Sequence, residues 1–362
     1  VKDTEKAYQQ LATWYRQSLS PQVIAITGSN GKTSTKNMLD SILSLQAPTL
    51  STKGNLNNHL GVPKTILELT NKHQYCVVEM GANHEKEITL LCDIVKPDLA
   101  LITNANNAHL GEFGSLERLV KAKGEIFKSL SQNGNAVMNK ESPHKNVWQK
   151  MSGTKKFTFF GNMSSIYARN IQHKKTHLKF DFHCNNGIIN VKLAMIGLHQ
   201  IDNALAAAAC AIELGVDLSL IKQGLEKTTT EKGRLELLES DRFTILDDSY
   251  NANPHSMKSA IDTLKTFSGE KIAVLGSMAE LGANSRELHQ EIGEYANQAG
   301  LDKLYTIGEH SKHYNGELFP DIESLYIQLN ECHSGATILI KGSRMMNLDE
   351  LVEILLKTSI SS

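Results

Sequence analysis

The chain has 362 residues, 40% of them hydrophobic and 21% charged, the composition of a soluble globular protein too long for a single ordinary core. Its 38 Lys and Arg nearly balance 39 Asp and Glu, so no global field recruits nucleic acid or an anionic membrane, and no apolar run approaches a membrane span. Five scattered cysteines without a Cys-x-x-Cys pair argue against a disulfide framework or zinc knuckle and point to a reducing compartment, with cytoplasm the expected location.

The start, Val1-Lys2-Asp3-Thr4-Glu5, is polar and has neither an apolar signal core nor an initiator Met; a fragment or processed chain is expected. Residues 4–19 place Ala7, Leu11, Trp14, Tyr15 and Leu19 near helical spacing, and Pro21 ends that helix. Val23-Ile24-Ala25-Ile26 reads as a short buried strand, and Tyr75 to Glu79, Leu99 to Thr103 and Ala136 to Asn139 follow as strand candidates between helical segments. That alternation indicates a parallel sheet covered on both faces. From about Lys155 to Ile196 short alternating strands surround Asn185-Asn186-Gly187, a hairpin signal, and a helix from His199 to Gly215 closes this half. Thr228 to Gly233 reads as a linker. Beyond it Phe243 to Asp247, Lys271 to Leu275, Lys303 to Ile307 and Thr337 to Ile340 alternate with helices. The expected fold is α/β: a central P-loop ATPase domain over 1–230, with a mostly parallel sheet plus a small antiparallel one. A Rossmann-like domain is expected over 231–362.

Thr27-Gly28-Ser29-Asn30-Gly31-Lys32-Thr33-Ser34 follows a strand and opens a helix. In that setting backbone N–H groups and the helix dipole converge on one anion. Glycines admit phosphate closely, Lys32 offers charge to β/γ oxygens, and Thr33 can ligate Mg²⁺. Strict Walker spacing would put the first Gly where Ile26 stands, so a glycine-rich turn that merely joins strand to helix is the alternative. Lys-Thr at the helix start favours ATP.

In doubly wound sheets, ligands gather at the carboxyl ends of strands. Glu79 closes one such strand, and His109 follows another within Asn104-Ala105-Asn106-Asn107-Ala108-His109-Leu110-Gly111. A carboxylate suits Mg²⁺, whereas imidazole is an unusual ligand for it. Taken alone, Glu79 is a strand-end cap and His109 a loop histidine; together, downstream of a phosphate loop, they favour a metal–phosphate site.

The loop resembles the Gly-Thr-Asn-Gly-Lys-Thr type of the Mur ligases and folylpolyglutamate synthases, which accounts for its spacing. Gly54-Asn55-Leu56-Asn57-Asn58-His59-Leu60-Gly61-Val62-Pro63, Glu79-Met80-Gly81-Ala82-Asn83-His84, Ala122-Lys123-Gly124-Glu125-Ile126-Phe127 and Asp247-Asp248-Ser249-Tyr250-Asn251-Ala252-Asn253-Pro254 look like one branch of the Mur ligases. That branch adds D-Ala-D-Ala to UDP-MurNAc-tripeptide through an acyl phosphate. Lys341-Gly342-Ser343-Arg344 fits as well, so the likeness spans essentially the whole chain.

The resemblance implies roles at the matching positions. Gly28 to Ser34 would cradle ATP, with Lys32 and Thr33 at the phosphates and the first of two Mg²⁺ ions, and Glu79 contributing to metal binding. His109 would serve the second ion, and Lys123 falls where the family commonly carries a carbamylated lysine; Lys32, Lys123 and His109 form the implied catalytic set. Asn203 matches an adenine contact. Arg234 and Asp248 match positions that reach phosphate and ribose from the C-terminal domain. Asn55, Asn57 and Asn58 would face the nucleotide-sugar peptide, and Asn251, Asn253, Lys341 and Arg344 the incoming dipeptide. A cytoplasmic monomer acting on small molecules is expected, without nucleic acid or membrane. Departures are Ser277 where the family usually has Asp, Glu85-Lys86-Glu87 in a segment that normally includes Gly, and a start where a uridine-binding N-terminal domain would end. They leave open a ligase for glutamate or another amino acid, or a nucleotide-binding module without full activity.

Overall fold

Along Val23-Ile24-Ala25-Ile26 every side chain is buried, but in alternate directions: Ile24 and Ile26 join one apolar core, Val23 and Ala25 another. A strand buried on both faces has no polar side to show, hence its unbroken apolar run. A computed structural model describes residues 1–106 and 110–357.

The first half runs α1 (Thr4–Gln17), β1 (Gln22–Thr27), α2 (Lys32–Leu43), β2 (Thr49–Ser51), α3 (Gly61–Leu67), β3 (Tyr75–Glu79), α4 (Glu87–Val95) and β4 (Leu99–Ile102). It continues through α5 (Leu110–Phe113), α6 (Leu116–Lys128), β5 (Asn135–Asn139), α7 (Lys145–Ser152) and β6 (Lys156–Phe160). These strands form a six-stranded parallel sheet in the order β2-β3-β1-β4-β5-β6. Next come β7 (Tyr167–His173), β8 (Leu178–Cys184) and β9 (Gly187–Leu193), a separate three-stranded antiparallel sheet, and then α8 (His199–Glu213) and α9 (Leu218–Lys227).

The stretch 156–160, read from sequence as part of the antiparallel group, belongs to the parallel sheet: Asn135↔Lys156 to Asn139↔Phe160 pair in parallel register. The intervening α7, which the sequence reading did not resolve, supplies the crossover that parallel pairing needs. Asn185 and Asn186 do form the turn of the β8–β9 hairpin.

The second half contains β10 (Glu236–Glu239), β11 (Phe243–Asp248), α10 (Pro254–Lys265), β12 (Lys271–Gly276), α11 (Ser285–Gln298), β13 (Lys303–Ile307), β14 (Glu317–Phe319), α12 (Ile322–Asn330), β15 (Ala336–Lys341) and α13 (Asp349–Lys357). Its sheet has the order β10-β11-β15-β12-β13-β14, parallel except for β10. Met257, Ile261 and Ile292 of α10 and α11 fill one side, and Leu325, Leu329 and Leu351 of α12 and α13 the other. This is the Rossmann-like architecture expected. No helix among the described residues is long and apolar enough to cross a membrane.

Small residues set the packing over the first sheet. The run Ala206 to Ala209 in α8 is buried against Met38, Leu39 and Ile42 of α2. On the next helix a Cβ at Gly224 would lie 2.5 Å from the Ile42 Cα and 2.7 Å from its N. Gly224→Ala therefore pushes α9 off the α2 backbone; despite a helix-propensity gain of up to about 1 kcal/mol, a net loss of about 1–3 kcal/mol is expected in denaturant unfolding. A raised unfolding midpoint would refute this close approach.

Candidate active site

The strand order places β1 between β3 and β4. β1 leads into α2 on one face of the sheet, while β4 leads towards α6 on the other. Such divergence opens a crevice at the strands' carboxyl ends. A cleft of about 710 Å³ lies there, walled on its far side by the C-terminal half.

The Gly28–Ser34 loop forms its floor. Gly31 has φ +78°, in the left-handed region that favours glycine, and a Cβ there would fall 2.2 Å from Asn203 Oδ1. At Gly28 a Cβ would fall 1.9 Å from Thr103 Oγ1. The end of β4 braces the loop from below: Thr103 Oγ1 and Asn104 Nδ2 donate to the Asn30 carbonyl at 2.6 and 3.1 Å. The Asn30 N–H donates to Asn104 Oδ1 at 2.9 Å, and the Ser29 N–H to the Asn104 carbonyl at 3.0 Å. Asn203, expected at adenine, lies buried beneath the loop: Thr35 Oγ1 donates to its Oδ1 at 3.4 Å, and its Nδ2 donates to Gln200 at 2.8 Å.

Lys32 and Thr33 open α2 at the cleft. The Lys32 ammonium folds back onto the Gly28 and Ser29 carbonyls at 2.8 and 3.2 Å. Burial lowers its pKa, the Glu79 carboxylate opposes that, and Arg234 adds to it. Glu79 is buried; its Oε1 accepts from Asn57 Nδ2 at 2.8 Å, and its Oε2 has no hydrogen-bond partner. A buried carboxylate oxygen without a donor is costly unless a cation meets it. Lys123 is buried in the same wall, 5.9 Å from the Phe113 ring centroid. Burial first, then the Lys32 charge, lowers its pKa to about 7. Among the described residues no group of three or more His, Cys, Asp and Glu could hold a metal by itself. The donor set fits an ion whose shell a triphosphate completes. His109 lies outside the described residues.

From the opposite wall, the Arg234 guanidinium lies 4.1 Å from the Tyr250 ring centroid, and its Nε makes no hydrogen bond but lies 3.6 Å from the Glu231 carboxylate. Asp248 is paired with Lys341 Nζ at 2.6 Å, and that ammonium also donates to the Asn251 carbonyl at 2.8 Å. Burial raises the Asp248 pKa, and Lys341 pulls it back. Asn55, Asn57 and Asn58 line the cleft, but Asn58 Oδ1 already accepts the Leu60 and Gly61 N–H groups at the start of α3.

Two expected dipeptide contacts sit differently. Asn253 caps α10 and pairs with Asn30 of the phosphate loop. Arg344 is not part of the cleft wall: its side chain is 61% exposed and pairs with Asp349 at 3.1 Å. It sits in a short turn after β15 that aims it at α13.

Sequence reading missed Thr103 and Asn104 as braces, and His199, Asp202, Tyr250 and His255 as wall residues. Burial, with Lys341 and His255 adding to it, lowers the His199 pKa to about 4; burial, with Glu141, raises that of Asp202 to about 6. Tyr250 and Asn104 stood within quoted segments, and Thr103 and His199 at the ends of expected elements; no spacing singles out Asp202 or His255.

Known proteins resemble this chain over both of its halves. The Mur ligase middle domain matches residues 26–211, and the Mur ligase, glutamate ligase domain matches 233–344. UDP-N-acetylmuramoyl-tripeptide–D-alanyl-D-alanine ligase of Escherichia coli (strain K12) is 41% identical, over 98% of this chain and 81% of that protein. The enzyme of that name from Bacillus subtilis (strain 168) is 33% identical over 100% of this chain and 81% of its own. A crystal structure of MurF from Acinetobacter baumannii superposes with TM-score 0.94 and 36% identity, covering 99% of this chain and 81% of that one. MurF from Thermotoga maritima, solved in complex with ADP, gives TM-score 0.89 and 29% identity over 99% and 84%.

Gly31→Ala tests the loop as a cradle. The added methyl meets Asn203 and forces a left-handed backbone on a residue that resists it, at a cost of about 1–3 kcal/mol. Titration with a non-hydrolysable ATP analogue should show affinity at least about tenfold weaker in a folded protein; unchanged affinity would place the nucleotide elsewhere.

Proposed function

The chain belongs to the Mur ligase family, and from that premise we propose that this cleft joins the carboxylate of UDP-N-acetylmuramoyl-tripeptide to the amine of D-alanyl-D-alanine at the expense of ATP. It is an ATP-dependent ligase of peptidoglycan precursor synthesis. The observation that carries the site assignment is the meeting of Lys32, Glu79 and Lys123 with Arg234 and Asp248 across one cleft. The reading divides the chain into an ATP-binding part, 1–230, and a C-terminal ligase part, 231–362. It takes the enzyme as a cytoplasmic monomer.

The loop amides and Lys32 hold the triphosphate and neutralise its terminal oxygens, so that the tripeptide carboxylate can attack the γ-phosphorus. The bond from that phosphorus to the ADP oxygen breaks, and an acyl phosphate forms. The amine of the dipeptide then attacks the acyl carbon, gives up a proton, and phosphate leaves. Lys36 is a further buried cation near Glu79, with Glu231 and Asp40 also facing it. At the loop itself Lys32 and Arg234 bring positive charge, which favours an anionic substrate and the charge that develops on it. Arg234 and Asp248, standing on the opposite wall, would contact phosphate and ribose while the closed cleft keeps water from the acyl phosphate.

Magnesium would be held by Thr33, Glu79 and a carbamylated Lys123, with His109 as the ligand expected from sequence, and would supply charge neutralisation at the phosphate oxygens. Lys123 suits that modification. With its pKa lowered to about 7, much of the amine is neutral at physiological pH and can attack CO₂; a C–N bond forms, a proton leaves, and the cation becomes an anionic oxygen ligand.

Lys32→Ala should abolish phosphate release with both substrates present, by at least about 100-fold, while the fold persists; retained turnover would overturn the assignment. In the same assay D-Ala-D-Ala should outpace glutamate as the amine.

Carbamylation depends on the neutral amine, so it should increase as pH rises through about 7. ¹³C NMR in labelled bicarbonate should show a carbamate carbon at pH 8 that fades below pH 7 and is missing in Lys123→Ala. A signal independent of Lys123, or none at pH 8, would refute it.

A further inference from the structure

The phosphate loop is gripped from both halves of the chain. Asn253 Nδ2 donates to Asn30 Oδ1 at 2.6 Å, and Asn30 Nδ2 lies 3.4 Å from Asn253 Oδ1, an amide pair in which each group gives and accepts. Neither partner is free to swing. The Asn30 peptide is held on both sides by Thr103 and Asn104. Asn253 is locked by a capping box: its Oδ1 accepts from the Ser256 N–H and its own N–H donates to Ser256 Oγ, both at 3.0 Å. A contact between two fixed groups registers position, where a contact between flexible side chains would absorb it.

A second, independent contact repeats the arrangement. The Gly111 N–H donates to the Glu280 carbonyl at 2.9 Å, and Gly111 and Gly282 approach so closely that a Cβ on Gly282 would lie 2.8 Å from the Gly111 Cα. The segment leaving β4 thus also meets the C-terminal half backbone to backbone. The first junction lies on the loop that follows β1, and the second on α5, the helix that follows β4.

We propose that Asn253 is a positioning residue for the ligase reaction: its amide pair with Asn30 seats the C-terminal half on the phosphate loop and sets the loop only when Arg234 and Asp248 face the cleft. Neutral hydrogen bonds of modest strength suit a contact that must form and release in every turnover. An ion pair here would add a carboxylate beside the phosphates. The inference rests on the loop being a nucleotide phosphate site, and adds the residue through which the second half acts on it.

Asn253→Ser tests it, because serine keeps a capping oxygen for α10 but is too short to reach Asn30. Asn30→Ala breaks the same pair from the other side without touching the cap. Asn253→Ser should lower kcat for phosphate release at least fivefold, leave the affinity for a non-hydrolysable ATP analogue within twofold, and shift solution scattering of the nucleotide-bound enzyme towards a more open form. Adding Asn253→Ser to Asn30→Ala should slow the enzyme by less than twofold further. An unchanged kcat in Asn253→Ser, or penalties that simply multiply in the double variant, would overturn the coupling. Loss of analogue binding by the unaltered protein would instead overturn the reading of the loop.

Discussion

The peptide of Asn30 is the point on which the site depends. A loop with glycines at 28 and 31 has no preferred shape of its own, and the Thr103 hydroxyl and Asn104 amide at the end of β4 supply one. The pairing of β1 with β4, Ile24↔Leu99 through Thr27↔Ile102, delivers those two side chains beneath the loop. The apolar runs of the two strands therefore do more than fill a core; their register aims the loop amides. Asn203 completes the support from α8, and its amide fits only because residue 31 lacks a side chain.

Around that support the chain keeps charged groups that its own residues satisfy only in part. Lys32 lies close enough to the buried Lys123 to lower its affinity for a proton, and Glu79 faces both with one oxygen unsatisfied. Across the cleft Arg234 Nε makes no hydrogen bond and is held only by a loose ion pair, 3.6 Å from Glu231 Oε2. Asp248 and Lys341, by contrast, already satisfy each other. Buried charge only partly satisfied is what a stable core avoids. Its concentration in a cleft marks a place where stability is exchanged for substrate binding.

Much of the fold was legible in the sequence, because central strands buried on both faces must be continuously apolar. Tyr75 to Glu79 and Lys303 to Ile307 were read to their observed ends. The short edge strands β2, β10 and β14 have three or four residues, too few to show a period, and they are held by a neighbour rather than by their own pattern. In the site, Lys32, Thr33, Glu79 and Lys123 stood in motifs whose residue types state their chemistry. Thr103 and Asn104 did not, since their work is to hold another segment's backbone, and that partner is 73 and 74 residues away in the chain. Asn253 was legible as a polar residue of its motif, yet its partner in the phosphate loop, 223 residues away, belongs to tertiary structure alone.

The departures from the family pattern are absorbed locally, which explains why they leave this support intact. Lys86, in a segment where the pattern includes glycine, adopts φ +72°, a conformation costly for a residue with a Cβ. Its N–H is held by Glu125 Oε1 at 2.7 Å, and Glu125 Oε2 takes the Thr89 N–H and hydroxyl, so α6 caps the start of α4. Ser277 accepts the His310 N–H at 3.1 Å, and a Cβ on Gly308 would fall 2.6 Å from its oxygen. A carboxylate there would need more room and another donor. The serine thus closes the β12–β13 end tightly, and its side chain stays out of the cleft wall. Of the residues expected at the incoming amine, Lys341 and Asn251 do line that wall, joined by the bond from the Lys341 ammonium to the Asn251 carbonyl.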